Sequence, residues 1–538
     1  MTRPITPIAA LPLLLLAFAA NTPGADVVVY GGSSAGVMAS VQTARMGHSV
    51  TLVAPETHVG GMPVEGLGSA DINNHWFRND VAVGGLAREF YLRLGRKYGQ
   101  SGPAYKYESS VAEQVFEELL REAGVAVVRG QRLREPLPSS LEWQPTGKAI
   151  RALVTESGRR FEAGIFIDAS LEGDLLAAAR VQTTSGREAN SQYGETKNGI
   201  RAETTHAQFL VKIDPYRIPG DPSSGLIPTI QDEPLGTPGA ADNNIQAFCF
   251  RLCLTRDPAN RLPISRPAGF DRSLYEIYFR YASAGGTLWR PAANLPNGKT
   301  DLGSWHDLSA NLYGMNRDYP NGDYATRERI YRQHLSFTHG LLWLLANDPG
   351  IPESTRAAWR DWGLCKNEFT DNGGFPRQFY VRDARRMVSD FVITEHHTRR
   401  FNPAPVADPV AVAFWPTDTH SVRRIVRNGA AYNEGFVFDD NNWGPFGVSY
   451  RALVPRRSEA TNLITPTCPS STHVAYGAIR LEQTFMSLGQ AVGAAAVFAL
   501  KKGIPVQDVD YAELRARLLR DGQVVALSLV PPKETAPK

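Results

Sequence analysis

Six consecutive small residues, Gly31-Gly32-Ser33-Ser34-Ala35-Gly36, follow a short apolar run from Asp26 to Tyr30 and open a small-residue stretch that reaches Met46. Side chains of this size let the backbone come close to a bulky anion. The start of a helix adds unpaired N–H groups and partial positive charge at the same place. The spacing is G-x-G-x-x-G with Ser33 at the second glycine, a residue that stays small and adds a hydroxyl. The chemistry this suits is the binding of a dinucleotide pyrophosphate. The acid that would take the ribose at the end of the next strand is missing, for Ala54 holds that position and Glu56 comes two residues later.

Further glycines follow. His58-Val59-Gly60-Gly61-Met62 leads into a poorly periodic stretch with Gly66, Gly68, Gly84 and Gly85, of the kind that large cofactors approach closely. Val127 lies in a short strand, Val125 to Val128, placed to give backbone contacts to an adenine. Gly489-Gln490-Ala491-Val492-Gly493 is expected to open an apolar helix that ends near Gly503, too short for a membrane span and too apolar for the surface, with a bare buried helix as the alternative. Helix starts attract negative charge, so Gly489, Gln490 and Gly493 are candidate cofactor contacts.

The candidates for acid, base or anion work are fewer. Arg382, Arg385 and Arg386 stand among apolar neighbours, and a buried guanidinium needs an anion from the protein or from a ligand. His473, in Ser470-Ser471-Thr472-His473, precedes the cofactor-helix candidate and is read either as a general acid or base or as a structural histidine. His396, His397 and His420 have no metal-ligand spacing, and no metal is expected. Of the four cysteines, Cys249 and Cys253 lie in an alternating segment, Gln246 to Leu254, that reads as a strand. Positions four apart on one strand are about 13 Å apart, too far for a bridge. Buried free thiols are expected there, with a redox pair as the alternative.

The elements that must position these residues follow from pattern. Asp26–Tyr30, the helix to Met46 and Ser49–Val53 make a βαβ unit. Leu86, Phe90, Leu94 and Tyr98 mark one helix face. A second helix is expected from Ser110, with Glu113 completing a capping box and Gly124 ending it. Gly164–Ala169 reads as a strand that runs through Asp168, an ordinary core strand with an acidic cap on its residues alone. At the N-terminus a leucine-rich run and Ala17-Phe18-Ala19 read as a signal peptide over residues 1–19, and residues 532–538 as a tail. The 538 residues carry 57 Lys plus Arg against 54 Asp plus Glu, a net charge of +3, with 43% hydrophobic residues. That is a globular chain and not a nucleic-acid-coating one.

The chain resembles exported bacterial FAD-dependent oxidoreductases with a glutathione-reductase-like flavin domain, some of which carry the label xanthan lyase. The resemblance runs through Tyr30 to Gly36, Gly60-Gly61-Met62, Val83 to Tyr91, Phe166 to Leu175, Tyr380-Val381-Arg382, Arg385-Arg386-Met387, Ser471 to Ala475 and Phe485 to Gly493. It implies an α/β fold with a Rossmann-like FAD-binding domain, discontinuous in sequence, that carries an inserted α+β substrate domain. The expected segments are 20–200 and 456–531 for the FAD domain and 201–455 for the insert. The implied cofactor is FAD, with cofactor-binding candidates Gly31, Gly32, Ser33, Ser34, Ala35, Gly36, Glu56, Gly60, Gly61, Met62, Val127, Asp168, Gly489, Gln490 and Gly493. His473, Arg382 and Arg385 are the catalytic candidates. The implied activity is oxidation of a small organic substrate by hydride transfer to flavin, with oxygen, a quinone or a soluble carrier as acceptor, in the periplasm or outside the cell. A carbohydrate-active lyase or binding protein with a Rossmann-like domain is the alternative, and it would leave the glycine loops without a purpose.

Overall fold

A computed structural model describes residues 24–527 apart from residues 76, 146, 205, 305, 306 and 440. The expected signal peptide and the 532–538 tail lie outside the described residues. The organising element is a sheet in the order β3-β2-β1-β6-β5-β4, with strands β1 (Ala25–Tyr30), β2 (Val50–Val53), β3 (Ala126–Val128), β4 (Leu141–Trp143), β5 (Ile150–Val154) and β6 (Arg160–Asp168). Strands β3, β2, β1 and β6 run parallel, while β5 and β4 turn back antiparallel. Strand β6 is long enough to serve two partners on one edge. Its first half pairs with β5, and Phe166–Ile167 pairs in parallel with β7 (Leu463–Ile464) from the far end of the chain.

Both faces of the sheet are covered, as in parallel α/β sheets generally. Val27 and Val29 of β1 point into one apolar core, and Val28 and Tyr30 into another, the alternation a strand imposes. On the first face lie helices α1 (Ser34–Arg45), α2 (Gly85–Lys97), α3 (Ser109–Ala123) and, beyond the middle of the chain, α7 (Glu482–Lys502). The intervening helices used below are α4 (Asp174–Ala178), α5 (Tyr324–Asn347) and α6 (His473–Ile479). Helix α7 has the length and mean hydropathy, 1.3, of a membrane-crossing helix. Every residue from Glu482 to Val497 is buried inside the protein instead.

Helix α3 corrects one expected detail. It starts at Ser109 with no side-chain cap of its own, and the capping box with Glu113 does not form. Glu368 takes that place, accepting from the Ser110 backbone N–H and hydroxyl at 2.9 Å each, while Glu113 reaches His58. A second correction concerns Gln246 to Cys253, where no strand forms before Leu254. The segment is threaded among other groups. The Ala247 N–H goes to Ser421, the Ala247 carbonyl to Arg382, and the Cys249 carbonyl accepts from Tyr380, so its backbone has no ladder to join. Cys253 instead faces Cys365 across short antiparallel strands, Sγ to Sγ 3.5 Å.

Candidate active site

The glycine turn joins β1 to α1 at the carboxyl end of the parallel strands. Gly31 has φ +109°, and a Cβ there would lie 2.3 Å from the Ser170 nitrogen, so only glycine fits. Ser33 is the N-cap of α1. Its hydroxyl accepts from Gly36 N–H at 3.2 Å and donates to the Ala169 carbonyl at 2.7 Å. The second loop packs against this turn, and a side chain at Gly61 would lie 3.0 Å from Ser34 N. Its absence leaves the first N–H groups of α1 open to an anion. Glu56 does come to the turn, accepting from Gly32 N–H at 2.9 Å, and burial raises its carboxyl to about 7. A cavity of about 350 Å³ opens beside it, lined among others by Tyr30, Glu56, His58, Arg132 and Tyr324. Val127 sits half-buried on β3, in register with Leu52.

A helix N-terminus does lie beside this turn, but it is not where the glycines predict. Helix α7 begins at Glu482, two turns before Gly489, with Leu481 as an N-cap that offers no side-chain acceptor. Glu482 is buried and accepts from the Ser34 hydroxyl at 2.5 Å, which ties the starts of α1 and α7 together. Burial lifts its carboxyl to about 7. Gly489 and Gly493 instead allow the two helices to touch. A Cβ at Gly489 would fall 2.2 Å from the Ala35 carbonyl, and one at Gly493 2.5 Å from that of Ala39. Gln490 is not at a helix start either, for its Oε1 caps α2 by accepting from Leu86 N–H at 2.8 Å. The small residues that suggested a helix start mark a helix–helix contact.

Immediately before α7, Arg480 enters a buried polar cluster together with Tyr380, Arg382, Asp418 and His420. Arg480 donates to the Tyr380 hydroxyl at 2.9 Å and to the Asp418 carbonyl at 2.9 Å. The guanidinium carbons of Arg382 and Arg480 lie over the Tyr380 ring, 4.9 and 5.6 Å from its centre. Tyr380 in turn packs on Met62 of the second glycine loop. The His420 N–H donates to Gln246 Oε1 at 3.1 Å, and its Nε2 is 4.0 Å from Asp418 Oδ1. Burial, reinforced by Arg382, Arg480 and Arg251, holds His420 neutral well below the usual histidine range. Among the described residues several buried polar atoms here have no hydrogen-bond partner: Arg382 Nε, Arg480 Nε, Gln246 Nε2, Asn311 Nδ2, His420 Nδ1 and Asp418 Oδ1. Buried polar groups are seldom left this way unless a ligand or water completes them.

The other candidates are committed elsewhere. Arg385 is paired with Asp174 at 2.9 Å and also donates to the Glu172 carbonyl and to Asn321 Oδ1, away from the Arg382–Arg480 cluster. Asp168 is engaged by its own strand end and the turn that follows. It accepts from the Ser170 N–H and hydroxyl and from Leu176 N–H, shaping the turn into α4 whose backbone abuts Gly31. His473 opens α6 and lies 2.7 Å from Asp383 Oδ2, with its Nε2 buried and unpartnered. Asp383 also receives Arg386, which pairs with Glu188.

A family model described as FAD dependent oxidoreductase matches residues 26–518, nearly the whole chain. The chain belongs to that family. FAD is therefore its cofactor. No curated protein matches. Solved structures of flavoenzymes match over about a third of the chain. They include L-proline dehydrogenase from P. horikoshii (16% identity, 31% of this chain and 58% of that one, TM-score 0.23). The flavin-dependent brominase Bmp2 (15%, 31% and 42%, 0.23) and a mutant of NikD, an amino acid oxidase of nikkomycin biosynthesis (15%, 31% and 57%, 0.21), are others. The chain thus spans less than two thirds of each of these proteins. The residues in place fit an FAD-dependent oxidoreductase. The Gly31–Gly36 turn with the first α1 amides is available to a pyrophosphate, Glu56 and the cavity beside it to the nucleotide end, and the uncapped start of α7 to a flavin carbonyl. His420, Arg480 and Asp418 are functional candidates that sequence reasoning missed. The one signal on offer was Arg480-Leu481-Glu482 just ahead of the apolar helix.

Proposed function

We propose that the protein is an FAD-dependent dehydrogenase or oxidase that oxidises a small organic substrate, with the substrate's polar end in the Tyr380–Arg382–His420–Arg480 pocket. The observation that carries this reading is the run Arg480-Leu481-Glu482, which spans the distance from that donor-rich pocket to the Ser34 hydroxyl at the glycine turn. Bound FAD supplies a two-electron acceptor for the substrate's hydride. The chain's part is to orient the substrate and to handle a proton. Arg382 and Arg480 fix the polar end, their planes set by Tyr380. His420, neutral and with Nδ1 free of protein partners, takes the proton from the hydroxyl or amine being oxidised. Asp418, next to its other nitrogen, stabilises the imidazolium that forms. Oxygen, a quinone or a soluble carrier then removes the electrons.

The family supports this reading over a carbohydrate lyase. The test is optical. Purified protein should be yellow, with a band at about 450 nm that bleaches anaerobically with substrate, and His420→Gln should keep the band while losing most of the bleaching rate. Unchanged bleaching in a flavin-replete His420→Gln variant removes the histidine from the mechanism. We further propose export, on the strength of the leucine-rich leader. Mass analysis of protein from its native host should then find an N-terminus near Ala20.

A further inference from the structure

We infer that the substrate enters this pocket as a carboxylate, with the Arg382 guanidinium as its anchor; the inference rests on the pocket being the substrate site. The argument starts from charge. Arg382 is 1% exposed, and every group it donates to is neutral: the Ala247 carbonyl, Asn311 Oδ1 at 3.3 Å, Cys249 Sγ at 3.1 Å and the Ser304 hydroxyl at 2.5 Å. Among the described residues no carboxylate lies within ion-pair distance of it.

The other buried arginines show how unusual this is. Arg187 has Asp242 and Glu434, Arg327 and Arg385 have Asp174, Arg386 has Asp383 and Glu188, Arg423 has Glu434, and Arg480 has Asp418. Arg424 is a second exception, and like Arg382 over Tyr380 it lies against aromatic faces, with the Phe209 and Tyr313 ring centres 5.4 and 4.7 Å away; Arg382 differs in touching Asn311, whose Nδ2 has no partner among the described residues. A buried charge with neither a counter-charge nor water is costly. An anionic ligand removes that cost for Arg382.

The unpartnered atoms fix the chemistry of that ligand. Four are obligatory donors, namely Arg382 Nε, Arg480 Nε, Gln246 Nε2 and Asn311 Nδ2. Asp418 Oδ1 and Asn316 Oδ1 are the acceptors, and His420 Nδ1 and Ser421 Oγ can serve as either. A carboxylate is acceptor-only with about four lone-pair sites, so it answers this surplus where an alcohol or amide would bring a donor of its own. It also suits His420. The three guanidiniums that disfavour its protonation are partly offset by a neighbouring carboxylate, which restores the basicity the proton transfer needs.

The experiment titrates the flavin-loaded protein with carboxylates and their matched amides: glycolate and glycolamide, lactate and lactamide, succinate and succinamide, benzoate and benzamide. Flavin difference absorbance and unfolding temperature are read in parallel, at constant ionic strength set with chloride. At least one acid should saturate and bind about tenfold or more tightly than its amide, and Arg382→Lys should weaken that acid about tenfold or more at unchanged FAD content. Amides binding as tightly as acids, acids that produce no saturable change across the panel, or equal affinity in a folded Arg382→Lys protein each overturn the inference. If that variant does not fold, the wild-type comparison of acid with amide decides alone. A yellow protein indifferent to carboxylates sinks this inference only, whereas a protein that takes up no FAD sinks the proposed function, and the unfolding-temperature arm still tests carboxylate binding.

Discussion

The glycine turn presents backbone, while behind Tyr380 the protein presents the ends of long side chains. The turn is drawn from one continuous stretch, Gly31 to Gly36, plus a second loop at Gly60-Gly61, and its geometry is enforced by positions where a Cβ has no room. The pocket draws single residues from Gln246, Asn311, Tyr380, Arg382, Asp418, His420 and Arg480, and its geometry is enforced by hydrogen bonds with some atoms left over. Sterically enforced sites break all at once when a methyl group is added. Sites of the second kind lose ligand before they lose fold.

The largest effect should therefore come from the steric side. Gly489→Val places carbon against the Ala35 carbonyl and forces α7 off α1, a backbone clash with a cost above about 4 kcal/mol by the usual scale of severe core mutations. Insoluble or colourless protein is expected. Soluble, flavin-replete protein with an unchanged unfolding temperature would show that the contact is loose.

The sharpest test of the contrast uses two arginines four residues apart. Arg386→Met leaves Asp383 and Glu188 buried without their cation, and should cost about 3 to 5 kcal/mol in urea unfolding. Arg382→Met removes a buried charge that has no counter-ion and leaves only neutral acceptors behind, so it should cost about 1 to 2 kcal/mol, clearly less than Arg386→Met, while abolishing turnover. Equal losses of stability would mean that Arg382 is as structural as its neighbour.

A third test separates pocket from core among the unpartnered histidines. His334 on α5 is buried among Phe248 and Phe379, with Nδ1 2.8 Å from the Ile330 carbonyl, and burial drags its pKa to about 4. The unfolded chain binds its proton near 6.5, so below that pH unfolding takes up a proton that the folded form refuses. Stability from His334 is thus complete above about pH 7. It falls by about 1.4 kcal/mol per unit on acidification toward pH 4, some 3 kcal/mol in all. His334→Phe should abolish that part of the acid sensitivity without touching ligand binding. An unchanged pH slope in the variant assigns the acid sensitivity to other groups.

The smallest effect is expected at Gln490. Gln490→Leu leaves the Leu86 N–H buried without an acceptor and should cost about 1 to 2 kcal/mol, with the flavin midpoint potential unchanged. A shifted potential would put Gln490 back beside the cofactor.

These outcomes follow the line between what the sequence discloses and what it hides. The βαβ unit, the strand that carries Asp168 and the glycine turn are legible because backbone geometry selects residue type locally. The same glycine signal misleads at Gly489 and Gly493. Close approach to a helix and close approach to a cofactor ask for the same side chain, and Leu481 gives no sign that α7 starts at Glu482. Arg382 was legible as a buried cation, but nothing in its neighbours distinguishes it from Arg385 or Arg386. The difference lies in Asp174 and Glu188, some two hundred residues away.

The pairing of Leu463–Ile464 with β6, and of Gly489 with Ala35, also dictates when the molecule can first hold its cofactor. A growing chain that has completed β6 still shows that strand's second edge and a bare flank of α1. It stays that way through nearly three hundred further residues, until Ile464 and then Lys502 have arrived. A chain truncated before α7 has the glycine turn without the helix that packs against it, and is expected to retain little FAD on purification.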